Sequence, residues 1–145
     1  MDKNMISKLI TAALEVLPKA YAPYSHFDVG AAVLMSSGKI YTGVNVENAS
    51  YPNGICAERN AIFHAIAEGE KEIVAIAIVS GKDAGKGVEI TEYASPCGMC
   101  RQVMREFCDP REMTVILARS TDDYILKTLE ELLPGSFGPE NLLHT

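Results

Sequence analysis

From Ile6 to Leu17 the apolar residues Ile6, Leu9, Ile10, Ala13, Leu14 and Leu17 recur every three or four positions, and Pro18 closes the run. That spacing predicts an amphipathic helix over residues 3–17. "AYAPYSHF" then reads as a loop shaped by Pro23. "DVGAAVLMSSGKIYTGVNVEN" reads as a hairpin, with strands near 28–35 and 39–46 around a turn at Ser36, Ser37 and Gly38. "ASYPNG" is a second loop, followed by a helix from about Cys56 to Glu68 that Gly69 stops. "EIVAIAIV" has no charge inside it, as expected of a strand buried on both faces. The polar, glycine-containing stretch from Ser80 to Tyr93 predicts a surface hairpin or flap. A helix over about Cys97 to Phe107, a buried strand "MTVILA", a turn "STDD", an edge strand "YILKT" and a short helix "LEELLP" complete the order. The alternation predicts an α/β fold, three-layer α-β-α, with a mixed sheet of about five strands and helices on both faces. Residues 1–145 are expected to form a single domain, and no internal repeat is visible.

Composition narrows the function classes. The chain has 145 residues, enough to bury about two-thirds of its unfolded surface, with 48% hydrophobic and 22% charged residues. Its net charge is −6 and no basic run occurs, which argues against a phosphate-tracking surface. Asp2 and Glu15 break the pattern of a secretory signal, and no apolar run approaches the ~20 residues of a membrane span. A soluble, cytoplasmic protein is expected, and in that reducing setting cysteines serve as metal ligands or catalysts more often than as disulfides.

Three of the four cysteines stand at expected helix starts. Cys97 and Cys100 sit at i and i+3 in "PCGMC", on one side of a first helical turn. CxxC alone serves zinc sites and redox pairs alike. Cys56, after a glycine-containing loop, supplies a third sulfur at another helix start. Three thiolates hold a tetrahedral Zn²⁺ and leave one position for water, the catalytic arrangement. Cys108 lies about 12 Å along a continuous helix from Cys100, too far to close the site. Glu58 shares a helix stripe with Ile62, Ala65 and Ile66, the inward face. A core-facing carboxylate costs several kcal/mol unless it is paired or used, and beside a metal-activated water it has a use as proton carrier. The bland alternative is a solvated first-turn glutamate. Arg59 and Arg101 each follow a ligand-bearing motif and are candidates to hydrogen-bond thiolate sulfur; either is otherwise a surface charge.

With these motifs on view, the chain resembles the cytidine deaminases, the small homotetrameric zinc nucleoside deaminases. "CAE" at 56–58 and "PCGMCRQV" at 96–103 carry the likeness, with "PYSHFDVGAA" at 23–32, "GVNVENASYPNGICAERNA" at 43–61 and "ELLPGSFGP" at 131–139. The resemblance implies a cytidine deaminase-like fold and one Zn²⁺ per subunit on Cys56, Cys97 and Cys100, the three-cysteine variant. It implies that Glu58 is the catalytic proton carrier for attack of activated water on C4 of cytidine or deoxycytidine, releasing ammonia in pyrimidine salvage. Asn45 and Glu47 would bind the ribose hydroxyls, and Phe27 would pack on the pyrimidine. Ala49, Tyr51, Ala57 and Phe137 would complete the substrate site, Tyr51 and Phe137 by reaching a neighbouring subunit. Arg59 would neutralise thiolate charge and Gln102 would hydrogen-bond behind the ligands. Tyr24 is an expected interface residue. Self-association into a homotetramer with shared sites is expected, with no nucleic acid or membrane partner.

Ser50 and Asp28 depart from common family residues, Asp28 with a possible bearing on sugar preference if it faces the site mouth. His26, His64 and His144 have no ligand spacing and read as ordinary structural or surface residues. Competing readings are the same chemistry on another aminopyrimidine nucleoside such as a nucleoside antibiotic, polynucleotide editing, and a structural zinc or redox module. The last needs neither Glu58 nor a third cysteine with an open position.

Overall fold

A computed structural model describes residues 1–143; His144 and Thr145 lie outside it. Helix α1 (Lys3–Val16) is capped by the Asp2 carboxylate, which accepts from the Met5 N–H, and a 3₁₀ turn at Leu17–Lys19 follows. Strands β1 (Phe27–Met35) and β2 (Ile40–Val44) form the expected hairpin, and α2 (Ala57–Ala67) ends at Gly69, whose φ of 95° suits a residue without Cβ. Strand β3 (Ile73–Asp83) precedes a two-residue strand β4 (Val88–Glu89), helix α3 (Gly98–Glu106), strands β5 (Thr114–Ser120) and β6 (Asp123–Thr128), and helix α4 (Leu129–Leu132).

The sheet order is β2-β1-β3-β5-β6, with β4 added to β3. The expected edge strand is therefore found, and the sheet has six strands rather than about five because the 80–93 stretch forms a hairpin of its own. β1 pairs β3 through Phe27 and Lys82, so the second edge of Lys82 is open to Glu89 of β4. β4 thus continues the edge that β5 occupies further back, through Ile78 opposite Leu117.

Alternation sends the two faces of the central strands into two cores. Ala32, Leu34, Ala75, Ala77, Val79 and Ile116 meet Ile6, Leu9, Ile10 and Ala13 of α1. Ala31, Val33, Ile76, Ile78, Val115 and Leu117 meet α2 and α3 on the other side. This is why "AIAIV", Ala75 to Val79, carries no polar residue: both of its faces are covered.

Strand direction positions the site. β1 is antiparallel to both β2 and β3, and β3 is parallel to β5, so β2, β3 and β5 all run the same way. The helices that follow β2 and β3 return across the sheet and must begin at its one end, where those strands finish. Close contact fixes α2 in place: a Cβ on Gly43 would meet the Ala57 carbonyl oxygen at 2.8 Å and the Ala61 backbone nitrogen closer still. Gly43→Ala is therefore expected to lower stability by about 1–3 kcal/mol by pushing α2 off the sheet. Urea unfolding checks this, and an unchanged midpoint would contradict the close packing.

Candidate metal centre and active site

Cys56 and Cys97 are the N-cap residues of α2 and α3, both with extended backbone, φ/ψ −75°/152° and −67°/165°. The loop before α2 is held by a Val46–Ile55 bridge and by a turn at Tyr51–Asn53, which presents Cys56 with its sulfur making no cap bond. Cys97 Sγ accepts from the Cys100 N–H at 3.5 Å, so one side chain both caps the helix and faces its partner sulfur. The sulfurs lie 3.9 Å apart for Cys56 and Cys97 and 3.4 Å for Cys97 and Cys100, all three within 4.8 Å of one another. Tetrahedral zinc with bonds of about 2.3 Å requires sulfur separations of about 3.8 Å, so the donor set fits Zn²⁺. Cys108 is not in this group; it is half-buried beyond the end of α3, and burial pushes its thiol up to about 12.

Three sulfurs this close cannot all carry charge without a cation. The Cys56 thiol is lowered to about 5, first by its hydrogen bond with Cys100 and then by Arg59, while Cys100 is held protonated above its ordinary range by the same bond to Cys56 and by burial. Arg59 donates to Cys56 Sγ at 3.4 Å. Two helix N-termini add partial positive charge at the same point. Arg101 is a correction. Its guanidinium donates to the Pro96 carbonyl at 2.7 Å, the Leu132 carbonyl at 2.6 Å and Ser95 Oγ at 2.8 Å, and makes no bond to sulfur. Two backbone carbonyls and the Ser95 hydroxyl set the direction of the guanidinium.

Glu58 is only 5% exposed, one half-turn beyond Cys56 on the covered face of α2. Burial raises its carboxyl pKa, and the Cys56 charge raises it further. An acid held above the usual carboxylate range next to three metal-binding sulfurs is suited to take up and return a proton.

A cleft of about 530 Å³ opens beside Cys56 and Arg59 and is lined by Asn45, Glu47 and Tyr51 among the residues singled out in the sequence. Asn45 Oδ1 accepts from the Val29 N–H and its Nδ2 donates to the Phe27 carbonyl, each at 2.8 Å. The Glu47 carboxylate accepts from the Tyr24 and Ser25 N–H groups at 3.0 and 3.1 Å and from the Ser25 hydroxyl, which holds its pKa below the usual range. Ser25 was not foreseen as a site residue; its signal was a hydroxyl two positions before Phe27, inside a motif already noticed.

Phe27, Ala49, Ala57 and Phe137 do not line this cleft. Phe27 is half-buried where β1 begins, on the α2 side of the sheet by alternation with Val29. Ala57 is fully buried as the first residue of α2, and Ala49 is exposed. Tyr51 and Phe137 are 77% and 56% exposed, and Tyr24 meets Tyr51 edge-on at 6.1 Å. Gln102 donates to the Phe137 carbonyl at 2.9 Å, so it holds the C-terminal segment and not a ligand. Asp28 is buried, on the α1 face by strand alternation, and does not line the cleft; burial and then the Asp83 and Glu47 charges raise its carboxyl pKa. His64 Nδ1 lies 3.2 Å from the Thr42 carbonyl and its ring meets Tyr41 edge-on, the structural role expected of it. His144 lies outside the described residues.

The sequence matches the family described as "Cytidine and deoxycytidylate deaminase zinc-binding region" over residues 3–117. It is 45% identical to the cytidine deaminase of Halalkalibacterium halodurans, over 98% of each chain, and 43% identical to the probable cytidine deaminase of Dictyostelium discoideum, over 99% of this chain and 90% of the relative. The crystal structure of cytidine deaminase from Burkholderia pseudomallei superposes with a TM-score of 0.77 at 43% identity, covering 90% of this chain and 97% of that one. That from Mycobacterium tuberculosis gives 0.74 at 35%, covering 95% and 98%.

The Cys56 thiol is lowered and the Cys100 thiol raised, so zinc uptake displaces protons, and fewer of them the further Cys56 is lowered beforehand. Apparent zinc affinity is expected to strengthen as pH rises from about 6 to about 8. Arg59→Gln, which lifts the Cys56 thiol pKa, should increase the protons released. Calorimetry in buffers of different ionisation enthalpy measures both, and release unaffected by Arg59→Gln would remove Arg59 from the charge balance.

Proposed function

The chain belongs to the cytidine and deoxycytidylate deaminase family, and on that footing we propose that it converts free cytidine and 2′-deoxycytidine with water to uridine and 2′-deoxyuridine plus ammonia. The observation that carries this reading is Glu58, a buried acid two residues after a metal ligand. A structural zinc site or a redox pair gives that acid nothing to do. The names borne by relatives 41–45% identical over nearly the whole chain favour cytidine over a nucleoside antibiotic.

Cys56, Cys97 and Cys100 hold one Zn²⁺, which when bound supplies Lewis acidity and a water made nucleophilic near neutral pH. Glu58 takes a proton from the attacking water at its carboxylate and gives it to N3 of the pyrimidine, then carries the second proton to the departing amino nitrogen. Arg59 keeps the Cys56 sulfur anionic. Asn45 and Glu47 offer their unspent hydrogen-bonding capacity to the sugar hydroxyls; the family resemblance assigns Phe27 and the Ala57 backbone to the base, although neither lines the cleft in this structure. The family resemblance assigns Ala49 to the substrate site with them. Gln102 serves by holding Phe137.

The reading extends to assembly. Tyr51 and Phe137 are large, exposed and outside or at the rim of their own protomer's cleft, which supports a homotetramer whose sites are completed by neighbouring subunits. Among the described residues no helix is long and apolar enough to cross a membrane. We place the enzyme in the cytoplasm, in pyrimidine salvage, acting as one catalytic domain over residues 1–145.

Ammonia release across a panel of nucleosides and bases tests the substrate class: cytidine and deoxycytidine should react, and inertness toward both would overturn the proposal. Glu58→Gln should keep zinc and fold while slowing turnover by at least about 10²- to 10⁴-fold. Normal turnover in that variant would end the mechanism. Sedimentation should show a tetramer, and a fully active monomer would remove Tyr51 and Phe137 from the site.

A further inference from the structure

The segment from Ile90 to Cys97 has no regular structure, yet it delivers a metal ligand. Cys97 is also the exposed member of the three, whereas Cys100 is buried and Cys56 half-buried. A ligand on an unrestrained lead would have to be ordered by the metal itself, at the cost of the backbone entropy of each residue fixed. Something has to hold this lead before zinc arrives.

The downstream half is held by Arg101, which grips Ser95 and Pro96. The upstream half is held from a different part of the fold. Pairing of β5 with β6 runs Ala118 opposite Tyr124 and then Ser120 opposite Asp123, so Arg119 is the extra residue of a bulge. A bulge re-aims the side chain it carries. Here the Arg119 guanidinium lies over the Tyr93 ring, 4.6 Å from its centroid, and donates to the Thr91 carbonyl at 3.4 Å. Its Nε and its terminal nitrogen both reach Asp123, at 2.8 and 2.6 Å, and the other Asp123 oxygen accepts from the Tyr93 hydroxyl. Tyr93 and Ala94 then pack against the core cluster that contains Cys100.

We propose that the bulged Arg119, with Asp123 and Tyr93, is a positioning device for the zinc ligand Cys97: it ties the end of the 80–93 stretch to the β5–β6 hairpin so that the lead is ordered without the metal. The closed triangle of ring, guanidinium and carboxylate accounts for a segment to which the catalytic reading gives no part. None of the three side chains touches zinc or substrate; they act through the backbone of residues 91–97. A cation–aromatic contact and an ion pair are individually modest where solvent reaches them. Joined in one network on a short lead, they restrict the same few backbone angles.

This inference rests on the zinc assignment, and the test separates the two. Zinc-loaded wild type, Tyr93→Phe, Asp123→Asn and the double variant are mixed with excess chromogenic chelator, and zinc release is followed with time. Partners directly behind ligands change metal affinity by about 10- to 100-fold; these residues are one step further out, so each single variant should release zinc about three- to tenfold faster. The double variant should be no faster than the quicker single one, because both changes open the same triangle. Thermal midpoints of zinc-loaded and zinc-stripped protein supply the second readout. The gap between them should narrow in the variants, with turnover per bound zinc unchanged. Release at the wild-type rate, or an equal fall of both midpoints, would overturn the proposal and leave the triangle a general stabiliser. If Tyr93→Phe does not fold, Asp123→Asn, at a half-exposed position, decides alone. A wild-type protein that carries no zinc would instead defeat the zinc assignment itself.

Discussion

Three cysteine sulfurs within 4.8 Å of one another are a local concentration of acidic groups that an uncharged protein interior could not support, and much of this fold answers that constraint. The parallel direction of β2, β3 and β5 puts the starts of α2 and α3 at one end of the sheet, and only there can two N-caps face each other. Helix N-termini bring positive potential and unpaired N–H groups, Arg59 brings a full charge, and a divalent cation completes the balance. Withdraw the helices from that end and the sulfurs would separate. Withdraw the charge and Cys56 would keep its proton and bind metal less well. Glu58 depends on the same placement. The turn that carries Cys56 outward to the metal carries the next residue but one inward, which gives the carboxyl both its burial and its raised pKa.

Those features were legible in the sequence because each is local or periodic. Ile6 to Leu17 show a helix period, "AIAIV" shows a doubly covered strand, and CAE and PCGMC place sulfur and carboxylate at helix starts whatever the rest of the chain does. The hairpin of residues 80–93 was legible as a hairpin, but not its partner edge, because that edge is open only where β5 has stopped pairing with β3. Arg101, a candidate sulfur partner or surface charge in the sequence, proved to be neither for a related reason. Its position one residue after Cys100 says it is near sulfur, but its direction is set by the carbonyls of Pro96 and Leu132, and Leu132 is distant in sequence. Gln102 is likewise directed by a residue distant in sequence, donating to the Phe137 carbonyl. Asp28 was placed by alternation alone: its neighbours Phe27 and Val29 face α2, so Asp28 faces α1. The bulge at Arg119 left no mark in the sequence, since an extra residue in one strand is visible only against its partner.

Asn45 and Glu47 show how the fold and the site share groups. The Asn45 amide has two N–H donors and two acceptor lone pairs, and it spends one of each on Phe27 and Val29. Glu47 spends most of its acceptor capacity on Tyr24 and Ser25. The same bonds fix the loop 21–27 against the end of β2, so the start of β1 and the mouth of the cleft are built by the residues that line it. What remains on each side chain is a donor or a lone pair whose direction is already set, because the other bonds have removed its rotational freedom. A sugar hydroxyl meeting such groups pays little further ordering entropy, and a ligand without that hydroxyl leaves a fixed polar group unanswered. On the proposed reading, discrimination would come from bonds that contact no ligand at all: those to the backbone of Phe27, Val29, Tyr24 and Ser25, which decide where the last free valence points.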